Sequence, residues 1–560
     1  MVGEFFNADD LIKTWSSACA PRQQNKRNAR RSSAPGTRQK IKRRRLRDAP
    51  SAVEIKRLTY TETLRMPNDY QKRSNLWNED LAPTDARHRT WRWRHFAALW
   101  TGMVMCIPCY ILASGLIDQG MSAMQAVGTV LLGNAVVLIP MLLIGHSGTK
   151  FGVPFAVIVR SSFGTKGAKL PAFLRAIVAC GWFGIQCWVG GNAIYAVGNI
   201  LFHGALVGPV IGWVGIDAAH LACFFVFWAL HLYFISRGPE SIRWIETITA
   251  PVKIAIVLAL LWWAYNKAGG FGPIVSAPSQ FVEGGKKAGQ FWSVFWPSLT
   301  AMIGFWSTLA LNIPDFTRFA KSQRDQCVGQ AVGLPVPMAG LAFIGVAVTS
   351  ATVTIYGKAI WDPVDLAGRM EGIGVAIGLA IITLDTLCVN LAANTVGPAY
   401  DFAAIFPRRI TFSTGGYLTA VIGVLMMPWK LIASTQGFIF TWLIGYSALL
   451  GPVLGIMLAD YWLIRRREIE VDDLFKENGI YRYKNGWNPA ALIALILSVL
   501  PNLPGFLAVA FPDRFSWIPA GFKDVYNYSW FVGVFLAIVI YSVLMRPAPR
   551  KSTHFDIESV

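Results

Sequence analysis

Trp100-Thr101-Gly102-Met103-Val104-Met105-Cys106-Ile107-Pro108 lies inside an apolar run from His95 to Leu116. It holds both the material of a membrane span and the means of interrupting one. About 20 apolar residues cross the hydrocarbon as a helix, and Pro108 removes a backbone donor part-way along. One such interruption is common in membrane helices. A second at a corresponding place says more. Five spans later, Phe291 to Leu311 contains Phe295-Trp296-Pro297-Ser298 and then Ile303-Gly304-Phe305-Trp306. Matching Gly/Pro-interrupted spans in two halves of a chain are the mark of an inverted-repeat transporter, whose unwound backbone lines a midplane site.

Ten further apolar stretches surround these two: Met124 to Gly145, Pro171 to Gly198, Ala219 to Ser236, Ile248 to Tyr265, Val336 to Tyr356, Ile373 to Ala393, Tyr417 to Ile432, Phe438 to Leu458, Ala490 to Val509 and Trp530 to Leu544. The ninth span, Tyr417 to Ile432, is short and broken by Pro428. All twelve are continuously apolar, not alternating, so helices are expected and not a barrel. The expected fold class is an all-α integral membrane protein of about 12 transmembrane helices. Composition agrees: apolar residues make up 54% of the chain and charged residues only 15%, where soluble domains run near a quarter charged.

The net charge of +20 first reads as a nucleic-acid binder. Twelve Lys or Arg fall between Arg22 and Arg47, with no acid among them. That polar stretch has no apolar period and is expected to be a disordered tail on anionic lipid. No nucleic-acid partner is implied. Placing the N-terminus inside puts seventeen Lys or Arg on inner loops, including Arg465-Arg466-Arg467, and eight on outer loops. Both termini are therefore expected in the cytoplasm of a cell-membrane protein. Met1 to Asp10 has no hydrophobic signal-peptide core.

Polar groups inside spans separate channel, enzyme, receptor and carrier. Trp182 and Gln186 in the third span are four apart and share a helical face, an aromatic plane beside an amide. Asn390 and Asn394 in the eighth span stand likewise. Two Trp faces and two amides suit a flat heterocycle edged with carbonyl and N–H groups. Interhelical hydrogen bonding is the plain alternative for these amides. No Ser/His/Asp set, metal cluster or paired carboxylates converge on the spans, so an enzyme is not expected. The Cys106/Cys109 pair lacks further ligands at metal spacing. His220 and His231 read as hydrogen-bonded helix residues, and Lys253 as a side chain reaching to the interface.

At these residues the chain resembles the nucleobase–cation symporter family, which includes uracil, cytosine, allantoin and hydantoin permeases. The resemblance rests on Asn78-Glu79-Asp80-Leu81-Ala82-Pro83, the Trp182 to Gln186 segment, Ala392-Ala393-Asn394 with Pro398-Ala399-Tyr400, Gly423 to Trp429, and Gly455-Ile456-Met457-Leu458-Ala459-Asp460-Tyr461-Trp462. It implies a LeuT-like core of two inverted five-helix repeats plus two extra helices, working as a monomer. It divides the chain into a tail (1–76), a pre-helix segment (77–94), a ten-helix transport core (95–466), a cytoplasmic loop (467–488), two peripheral helices (489–546) and a C-terminal tail (547–560). It implies that Trp182 and Trp306 stack on the substrate while Gln186 and Asn394 bond its edge, with Phe305 and Asn390 beside them.

The family's sodium site would take carbonyls of Gly102, Met105 and Asp385 and two hydroxyl side chains, but those positions hold Cys388 and Val389. Hard cations prefer oxygen, so proton coupling is expected over sodium, with Asp385 or Asp401 as the coupling carboxylate. Asp401 could equally close a gate with Arg408 or Arg409. Asp315 and Arg318 are placed at a gate, and Asn78-Glu79-Asp80 at a latch. No cofactor is implied. The expected function is secondary import of a nucleobase or related heterocycle. Carriers of a nucleoside, thiamine or an amino acid, and a non-transporting sensor, are the alternatives.

Overall fold

The first span is two helices, Trp93–Val104 and Ile107–Asp118, meeting at 59°. Met105 and Cys106 leave helical geometry: the Met105 N–H closes on the Thr101 carbonyl and the Cys106 N–H on the Val104 carbonyl. Pro108 is not at the break. It occupies the first turn of the second helix, where its missing donor costs nothing. The sixth span breaks likewise, Phe291–Phe305 meeting Ser307–Thr317 at 43°. Its hinge is Trp306 (φ −98°, ψ 4°), while Pro297 lies buried within the helix before it. Both interruptions are thus real and five spans apart, but neither proline is the hinge.

The computed structural model describes residues 74–237, 239–271, 278–367, 369, 373–434 and 436–545. The predicted tails fall outside these, save for Ser74 to Leu76. Each of the twelve apolar stretches is helical. Among the described residues, six helices are long and apolar enough to cross a membrane, or nine with each bent pair counted as one; Ile254–Ala268 and Phe412–Leu425 are shorter apolar helices. Apolar side chains such as Leu132, Ile139, Val226, Ile496 and Val543 point outward, as a lipid-facing surface requires.

Boundaries follow local chemistry. The second span, Ala123–Phe151, starts at a reciprocal cap between Ser122 and Gln125 and stops at Gly152 in the left-handed region (φ 74°). The seventh begins earlier than hydropathy shows: Gln323–Gly333 runs on into Pro335–Tyr356. Its polar Gln326 and Gln330 are buried against Gly145 of the second span. The ninth is short as expected, Phe412–Leu425 and then Pro428–Leu431 after Met427 at φ 49°. The tenth continues beyond Leu458 as a π-helical turn to Ile464. A two-stranded hairpin, Val210–Ile211 with Ile216–Asp217, joins the third and fourth spans and had no signal in hydropathy.

The third span, Lys169–Leu201, packs on the fourth, eighth and ninth; the second packs on the sixth and seventh; the tenth packs on the twelfth. Residues 74–91 form a strap across one end of the molecule. Asn78 Nδ2 donates to the Pro407 carbonyl (3.0 Å) and the Phe412 N–H to Asp80 Oδ2 (3.1 Å), both beyond the eighth span. The Trp91 N–H reaches the Phe319 carbonyl, past the end of the sixth (2.9 Å), and Arg89 Nη1 the Thr149 carbonyl, at the end of the second (3.2 Å).

Candidate substrate-binding site

The two broken spans border one narrow pocket. Its walls are Met103 and Cys106 from the first span, Trp182 and Gln186 from the third, Phe305, Trp306, Thr308 and Leu309 from the sixth, and Val389, Ala393 and Asn394 from the eighth. None of these side chains carries a charge.

Each tryptophan is tied by its indole N–H. Trp306 Nε1 donates to Asn134 Oδ1 on the second span (2.8 Å), and Trp182 Nε1 donates to the Tyr446 hydroxyl on the tenth (3.3 Å). With their donors engaged elsewhere, both residues have only carbon faces and edges left to offer. Phe305 stands between them edge-on, 4.9 Å from each ring centroid. Gln186 is buried, and its Oε1 has no hydrogen-bond partner. Leaving a buried acceptor unpaired costs about 1–3 kcal/mol, so a donor from a ligand is the natural complement. Asn394 gives one N–H to Asn390 Oδ1 (3.0 Å), which leaves its own carbonyl and its second N–H.

Trp182, Gln186, Phe305, Trp306 and Asn394 are thus brought together as expected. Asn390 is not in the wall: it is fully buried behind Asn394 and donates to the Phe183 carbonyl (3.1 Å). The residues expected at the cation site are spread. Gly102 and Met105 flank the break in the first span, and Val389 lines the pocket. Cys388 is buried in an apolar cluster with Phe183, Cys187 and Phe227. Asp385 is half-buried, outside the pocket wall. Asp401 forms an ion pair with Arg175 (3.0 Å), both side chains fully buried, where Arg408 or Arg409 was the partner expected. Asp315 accepts from the Phe155 N–H (2.8 Å) and from Asn312 (3.1 Å); Arg318 stacks on Phe319 and Tyr400 and points at the Asp80 carbonyl.

Arg175, Asn134 and Tyr446 are site supports that sequence reasoning missed. Arg175 did carry a signal, because a guanidinium inside an apolar span demands a partner. Asn134, an amide inside the second span, carried the same kind of signal, and Tyr446 had none outside the folded chain.

Residues 83–533 match the family model described as permease for cytosine/purines, uracil, thiamine, allantoin. The chain belongs to the nucleobase–cation symporter family. Nucleobase–cation symporters are membrane transporters and not enzymes, and this chain is a multi-pass member. It is 43% identical over 489 residues to the purine-uracil permease NCS1 of Arabidopsis thaliana, covering 87% of this chain and 80% of that one. It is 40% identical to the allantoin permease of Bacillus subtilis, covering 87% and 97%. An inward-facing structure of the symporter Mhp1 superposes with a TM-score of 0.68 at 25% identity, covering 86% and 95%. That likeness supports the LeuT-type core that the family resemblance implies.

Proposed function

We propose that this symporter imports an uncharged nucleobase or related heterocycle, such as uracil, allantoin, hydantoin or cytosine, by alternating access across the cell membrane. The carrying observation is the unpaired Gln186 Oε1 inside an uncharged pocket between two tethered indoles. A flat ring with an N–H on its edge supplies the missing donor and the apolar faces together. An amino acid does not match, because its carboxylate and ammonium would meet no opposite charge in the wall. Relatives that match over most of this chain are named for purine-uracil and allantoin transport, which supports the same class.

The reading includes proton coupling in preference to sodium, since Cys388 and Val389 offer no hydroxyl oxygen. It includes both termini in the cytoplasm, a monomeric working unit and a lipid-facing outer surface. Uptake of labelled uracil and of labelled allantoin into proteoliposomes tests it, with hydantoin, cytosine, thiamine and phenylalanine as competitors. Accumulation that survives in sodium-free buffer and collapses with a protonophore is the expected result. Binding without accumulation, or competition by phenylalanine alone, overturns it.

A further inference from the structure

We infer that His231, on the fourth span and outside the pocket, sets which atoms Asn394 shows to the substrate. The imidazole is fully buried. Its Nδ1 lies 2.9 Å from the Phe227 carbonyl, which can only accept, so Nδ1 carries the proton. Nε2 of the neutral ring is then a bare lone pair, 3.0 Å from Asn390 Nδ2. Asn390 Nδ2 faces His231 Nε2 (3.0 Å), the Phe183 carbonyl (3.1 Å) and, at longer range, Cys187 Sγ (3.6 Å), so both amide hydrogens are spent on this side. Its oxygen is therefore turned toward Asn394 and takes one hydrogen from that residue. What remains of Asn394 for the pocket is a carbonyl and a single N–H.

Polarity thus runs in one direction, from the Phe227 carbonyl through His231 and Asn390 to Asn394. Reversing any link puts donor against donor or oxygen against oxygen at the next. An imidazolium would present N–H at Nε2 to the Asn390 amide hydrogens, so the chain is consistent only with the neutral ring. Cys187 is the other titratable side chain on it, its sulfur 3.8 Å from Nδ1; the Phe183 ring packs edge-on at 5.0 Å. His231 is a positioning residue, since it acts through two amides and does not touch the pocket. The inference rests on Asn394 reading the edge of a heterocycle, as proposed above.

The test compares H231F, which keeps an aromatic of similar size without an acceptor, with H231Q, whose amide can donate to the Phe227 carbonyl and accept from Asn390. The readout is inhibition of labelled uracil uptake by uracil, 1-methyluracil and 3-methyluracil in proteoliposomes containing full-length protein. In wild type, methylating the ring nitrogen that faces Asn394 is expected to weaken inhibition by about tenfold, the value of one lost hydrogen bond in a buried site. In H231F that ratio should fall to about twofold, because the freed Asn390 amide lets Asn394 turn either way. H231Q should keep the wild-type ratio. An unchanged ratio in H231F, or a collapsed ratio in H231Q, overturns the role. If H231F does not reach the membrane, N390A gives the same reading by removing the middle link, and an unchanged ratio there is equally fatal. A wild-type protein that accumulates neither uracil nor allantoin sinks the transport reading itself, a separable result.

Discussion

Gln186 and Asn394 are the two amides that the pocket wall offers an occupant, beside the Thr308 hydroxyl. Gln186→Ala removes an acceptor that the protein leaves unpaired, so the folded state should be little changed while uptake falls by about tenfold or more. Quantifying membrane protein beside initial uptake rate separates the two effects. Tyr446→Phe releases the Trp182 indole N–H and should raise KM by a few-fold, since one neutral hydrogen bond contributes only about 1 kcal/mol. Gly397 raises a different question. A Cβ there would lie 2.0 Å from Arg175 Nη2, so only glycine lets the guanidinium pass to Asp401. Gly397→Ala displaces one half of a buried ion pair, a change of about 3–5 kcal/mol. A large drop in melting temperature is expected, and a wild-type melting curve would contradict it. Tryptophan and amide spacing made the pocket legible in the sequence. The supports were not: Asn134, Tyr446 and His231 lie on other spans, and their pairings exist only after the helices pack.

Among the elements, hydropathy located the helices, and the break at Trp306 falls where the sequence put it, although neither proline is a hinge. Proline is the visible irregularity, yet Pro108 sits at a helix start and Pro297 inside a helix. The breaks fall at Met105-Cys106 and at Trp306, the latter just after the Gly304 quoted from the sequence. Close approach is the other hidden determinant. A Cβ on Gly304 would come within 2.8 Å of the Leu443 carbonyl, where the sixth span crosses the tenth. Gly304→Ala should therefore force those spans apart, lowering stability by about 1–3 kcal/mol. Thermal unfolding in detergent checks this. The seventh span shows the opposite error: Gln326 and Gln330 look like loop residues, but burial against the second span makes them helix.

For the whole molecule, the +20 charge and the apolar helices address different things. The charge is concentrated before residue 48, whereas the fold is carried by the apolar body. Deleting Met1 to Pro50 should leave transport and membrane level intact, as uptake by the truncated protein would show. The twelve-span expectation followed from length and apolarity. The clustering of the first, third, sixth and eighth spans around one pocket did not, because a hydropathy profile has no information on neighbours.

The strap at residues 74–91 has a practical corollary. It is fastened at once to the connection after the eighth span, the end of the second and the chain just past the sixth. Under the alternating-access cycle proposed above, a segment pinned to elements that part cannot stay pinned throughout it. Protease sensitivity at Arg87, Arg89 and Arg92 should therefore act as a gauge of state, low when this end is shut and rising when substrate draws it open. Limited trypsin digestion with and without saturating uracil would calibrate that gauge, giving a label-free report of conformational state from the segment before the first span.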